Sequence, residues 1–120
     1  MQHANQIARL YLDEQSVGLI RVRGWADSWG FGEFQPEGSF AVFAAPFGRW
    51  SLLMHADDRG APLSRAAADE LREAENAIDR IHAKLYLCRT GEWRTITQLN
   101  IDGPLVEWKE DVGAGPTNQT

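Results

Sequence analysis

A single cysteine, Cys88, leaves the chain unable to form an internal disulfide or a zinc site built from paired cysteines. That scarcity suits a reducing compartment. The opening residues MQHANQIARLYLDEQ lack the basic start and apolar run of a signal peptide, and no later stretch has the length of a membrane span. The expectation is a cytoplasmic protein without membrane contact. Basic clusters are missing as well: 12 Lys and Arg stand against 17 Asp and Glu, for a net charge of −5, and the densest basic spot is Arg21-Val22-Arg23. Nucleic-acid binding draws most of its non-specific affinity from clustered phosphate contacts, so this composition argues against it.

The signatures of known chemistry fail one by one. Gly30-Phe31-Gly32-Glu33-Phe34-Gln35 starts like a dinucleotide fingerprint, but its sixth position is glutamine and Pro36 follows at once. His55, Asp57 and Asp58 could meet a metal, yet a catalytic zinc takes three protein ligands, and His3 and His82 have no spacing relation to them. Cys88 lies in the apolar run Leu85-Tyr86-Leu87, where it reads as a small buried hydrophobe rather than an activated thiol. Asp27, Glu33 and Glu37 gather around one turn, but paired-carboxylate catalysis needs a cleft that holds them at a set separation. No catalytic residue, metal site or cofactor is therefore expected, and an enzyme using His55 with Asp57 or Asp58 is the least supported reading.

What the chain does contain is patterned. Residues 6–13 and 17–24 are rich in branched and aromatic residues and flank Glu14-Gln15-Ser16, which reads as a β-hairpin. Ile20 and Val22 alternate with Arg21 and Arg23, as on a strand with one wet face. Gly30 to Phe34 fits a short third strand, and Gln35-Pro36-Glu37-Gly38 a turn. Phe40, Phe43, Phe47, Trp50 and Met54 then recur at helical intervals, and Pro46 is tolerated in a first turn, predicting a short helix over 46–56.

A longer helix is predicted from Ser64, as N-cap, to about Lys84, with Ala67, Leu71, Ala74, Ile78, Ile81 and Leu85 on its apolar face. Residues 93–101 and 105–109 flank Asp102-Gly103-Pro104 as a second hairpin. The tail 113–120, GAGPTNQT, has nothing to pack and is expected to be disordered. Residues 1–112 then form one α+β domain: an antiparallel sheet from the N-terminal hairpin, a short third strand and the C-terminal hairpin, with one long and one short helix packed on it. The alternative is a partly closed β-barrel with a helix.

The stretch 24–50, GWADSWGFGEFQPEGSFAVFAAPFGRW, holds eight of the twelve aromatic residues. Helical spacing assigns Phe40 to Trp50 to a core. Trp25 and Trp29, set around the turn Ala26-Asp27-Ser28, offer either core or an exposed platform. The candidate ligand or partner residues are accordingly Trp25, Asp27, Trp29, Phe31, Glu33 and Arg49. Two functions fit: a small non-catalytic binding or accessory domain acting through a protein partner or as a homodimer, or a binder of small molecules or carbohydrates at the Trp25/Trp29 turn.

Overall fold

The computed structural model describes residues 6–57 and 64–111, with the side chains of Ala56 and Asp57 left aside. Six antiparallel strands close into a barrel in the order β1-β2-β3-β6-β5-β4. They are β1 (Gln6–Leu12), β2 (Gln15–Ala26), β3 (Trp29–Pro36), β4 (Ala83–Leu87), β5 (Glu92–Asp102) and β6 (Leu105–Glu110). Two helices, α1 (Ala44–Asp57) and α2 (Arg65–Asp79), connect β3 to β4 after a 3-10 turn at Gly38–Val42. The fold is thus α+β, and the sheet expected from the sequence closes on itself because β1 pairs β4, from Ala8 opposite Leu87 to Leu12 opposite Ala83. Closure leaves no unpaired strand edge.

The core follows from period-two alternation. Ala8, Leu10 and Leu12 of β1, Ile20 and Val22 of β2, Leu85 and Leu87 of β4 and Val106 and Trp108 of β6 all point inward and are buried. On β3 the inward positions are Gly30, Gly32 and Phe34. Both glycines are required by close approach: a Cβ on Gly30 would lie 2.3 Å from the Trp108 indole, and one on Gly32 would lie 2.2 Å from the Arg21 carbonyl oxygen. The Gly-x-Gly that resembles half a nucleotide motif is room for Trp108.

Three expectations are corrected. The first turn is Asp13-Glu14, both at positive φ, and Leu12 pairs directly with Gln15; this is a two-residue hairpin loop, one residue earlier than Glu14-Gln15-Ser16. The two helices have nearly equal lengths, 14 and 15 residues. α2 keeps its Ser64 cap, whose hydroxyl accepts from the Ala67 N–H, but stops at Asp79. Beyond it the His82 N–H donates to the Asp13 carboxylate and the Asp13 N–H to the His82 carbonyl, so the chain is tied into β4 and Leu85 becomes a strand residue. Finally, Cys88 is exposed, because it follows Leu87 on the outward beat of β4's alternation. His3, Asp58 and the tail 113–120 lie outside the described residues.

The helices cover one end of the barrel. Phe43 and Phe47 are buried, Phe40 meets Phe34 edge to face at 5.0 Å, and Trp50 packs on the same core. The helical spacing from Phe40 to Met54 is core, as the sequence implied. Among the described residues no helix is long and apolar enough to cross a membrane.

Candidate functional site

The six candidate residues do not converge. Strict alternation after Ile20 and Val22 would turn Gly24 inward and Trp25 outward. A bulge intervenes: Val22 pairs Gly32 but Gly24 pairs Phe31, leaving Arg23 as the extra residue, and Trp25 pairs the inward Gly30. Trp25 is thereby aimed into the barrel end, where its ring meets Trp108 edge to face at 6.4 Å between centroids, 87° between planes. Trp29, Phe31 and Glu33 occupy the outward positions of β3. Arg49 is remote from both groups, on α1 beside a shallow groove against α2 that Pro46 and Glu73 also line.

Two places therefore deserve the name of site. The first is the uncovered end of the barrel, a cavity of about 300 Å³ lined by Trp25, Asp27, Glu92, Arg94, Glu110 and Gln6, with Leu87 and Thr90 on its wall. At its base Glu110 is 6% exposed, an inward carboxylate at the end of β6. It accepts from the Trp25 indole N–H at 2.6 Å, the Trp108 indole N–H at 3.0 Å and the Arg94 guanidinium at 2.6 Å. A buried carboxylate is tolerated only when paired and hydrogen-bonded, and here both oxygens are engaged. Partial burial pulls the Arg94 guanidinium down, but the hydrogen bond and charge of Glu110, joined by Glu92 at 3.4 Å, outweigh it and raise it above its ordinary value.

The second is a strip on the outer face of β3 and β6. Phe31 is 42% exposed and Leu105 59%, and the register sets them diagonally across the paired strands, Phe31 opposite Glu107 and Glu33 opposite Leu105. Arg23, carried outward by the bulge, bonds Glu33 at 3.0 Å. Together these side chains border a depression of about 270 Å³.

His55 is placed differently from the expectation. Its Nε2 lies 2.8 Å from the Asp102 carboxylate, and Ser51, one turn earlier on α1, donates to the same carboxylate at 2.5 Å. The Ser51 hydrogen bond holds the Asp102 carboxyl below the ordinary value of 3.8 against its desolvation, with His55 adding to the effect. In an acyl-transfer relay the imidazole stands between hydroxyl and carboxylate. Here the carboxylate stands in the middle, so the cluster acts as a clasp between α1 and the β5–β6 turn.

Sequence reasoning missed Glu110, Arg94 and Trp108. The signal was present in Val106-Glu107-Trp108-Lys109-Glu110: if Val106 and Trp108 face inward, so does Glu110, and an inward charge demands a partner. It also passed over Trp93, which faces Tyr86 across β4 and β5 on the outer surface, 5.0 Å from that ring and from Tyr11, with the Lys84 ammonium 4.8 Å over its indole. Comparison with protein-family models, with curated proteins and with solved structures gives no match.

Proposed function

We propose that the protein is a cytoplasmic, non-catalytic binding domain that acts through a protein partner, seated on the outer strip of β3 and β6. The observation that carries this reading is the adjacency of Phe31 and Leu105, two large exposed apolar side chains, inside a rim formed by the Arg23–Glu33 pair and Glu107. An apolar centre with a charged rim is the anatomy of a protein interface. Rigid strands in a closed barrel hold these anchors without an ordering cost on binding. The rim fixes orientation through charge more than it adds affinity.

Site-specific photo-crosslinking in cells tests it. A photoreactive phenylalanine at position 31 or 105 is expected to give one discrete adduct, whereas the equally accessible controls Val42, 76% exposed, and Leu52 give none. An adduct of twice the chain mass, matched by a dimer in sedimentation, identifies the partner as a second copy. Absence of any adduct unique to positions 31 and 105 overturns the reading.

A further inference from the structure

The uncovered barrel end is chemically unlike the outer strip and lies on the opposite side of the strand wall, so it is independent of any partner seated on Phe31. We infer that this cavity binds a small organic cation, an amine or guanidinium compound, against the Trp25 indole. Three observations point there. The first is charge. Asp27, Glu92 and Glu110 line the cavity against Arg94, a formal excess of two carboxylates in a protein already at −5. The Arg94 guanidinium is covered by Glu110 at 2.6 Å and Glu92 at 3.4 Å, which leaves it poorly placed to receive an anion. Asp27 has no ion-pair partner among the described residues. Low-dielectric walls focus such a potential into the cavity.

The second is the wall itself. Trp25 is half-buried, with its N–H fixed on Glu110 and its edge packed on Trp108, so the ring is held still before any ligand arrives. A preorganised indole beside carboxylates is the arrangement that attracts organic cations, and it adds apolar contact that a simple ion cannot use. The third is size and chelation. About 300 Å³ is at the small end of ligand cavities, roughly 300 to 1,000 Å³. Among the described residues no three His, Cys, Asp or Glu side chains are placed to hold a metal ion.

The test uses agmatine and tetramethylammonium as cationic probes, with inorganic phosphate and glucose as anionic and neutral ones, each titrated into the labelled protein at low salt. The indole N–H resonances of Trp25 and Trp108 report directly on Glu110. Saturating shifts at both indoles are expected with at least one cation, and none with phosphate or glucose. The double variant Asp27→Asn, Glu92→Gln is expected to weaken that binding about tenfold without moving the thermal midpoint. Asn suits the site because residue 27 sits at φ 57, where Asn and Asp are the tolerated non-glycine residues. Should the double variant unfold, Asp27→Asn alone carries the comparison. The inference is overturned if neither cation gives a saturating indole shift, if the carboxylate variants bind as tightly as the parent, or if phosphate or glucose produces the same shifts. None of these outcomes touches the crosslinking result at Phe31, so the two proposals fail separately.

Discussion

At the helix-covered end of the barrel, Phe34, Phe40 and Phe47 stack ring on ring with Phe43 and Trp50 beside them; at the uncovered end, Trp25, Trp108 and Arg94 converge on one buried carboxylate. Both ends exclude water from the same core, by different means. The apolar end gains from every area removed from water and asks little of geometry, so its contributions are spread over many contacts. The polar end has Glu110 as its hub, and each partner is needed to satisfy it, so its contributions are coupled. A cap of packed helices leaves no room for a ligand, whereas a ring of fixed donors and acceptors around a cavity is a place where one can compete.

The sharpest test of this contrast is the pair of variants that should differ most in kind. Phe47→Ala removes a side chain only 2% exposed and is expected to cost about 3–5 kcal/mol, read as a fall in the denaturant midpoint with the slope unchanged. A loss under about 1 kcal/mol would mean the helices cover a surface that does not depend on them. Next comes Glu110→Gln, expected to cost about 2–3 kcal/mol because it strands the Arg94 charge and weakens both indole bonds. Adding Arg94→Met should recover part of that loss, giving a coupling energy of roughly 1 kcal/mol or more in a double-mutant cycle. Strict additivity would refute the hub.

The smallest effect sharpens the comparison at the covered end, where Asp102 clasps α1. Its folded carboxyl is held below the unfolded value, chiefly by Ser51, so its contribution is present above about pH 3.8 and is lost as pH falls through the lower folded value. Ser51→Ala should bring the Asp102 titration, followed by NMR, back up toward 3.8 while barely moving the thermal midpoint at neutral pH. An unmoved titration would mean that the Ser51 hydroxyl does not hold the carboxylate.

Much of this was legible beforehand where one short-range rule sufficed. Helical spacing placed Phe43 and Phe47 inside; Ser64 capped α2; the Gly103 turn, with its glycine at φ 60, set the last hairpin. Errors arose where two rules competed. Leu85 satisfies both the 3-4 rhythm after Ile78 and Ile81 and the alternation of Ala83, Leu85 and Leu87, and only the Asp13–His82 hydrogen bonds end the helix in time. The aromatic platform was misjudged for the same reason, since a bulge at Arg23 turns Trp25 away from Trp29 and Phe31.

By itself, then, the sequence determined the alternation of each strand, the apolar stripe of each helix and the turns between them, because these depend on neighbours a few residues away. It also determined the acidity and the single cysteine that narrow the chemistry. Only the tertiary structure decided that β1 meets β4 to close a barrel, that Gly30 yields its space to Trp108, and that Trp25 and Glu110, 85 residues apart, share a hydrogen bond. Those are pairings across the chain, fixed by register and closure, and local pattern carries no record of which distant strand a residue will face.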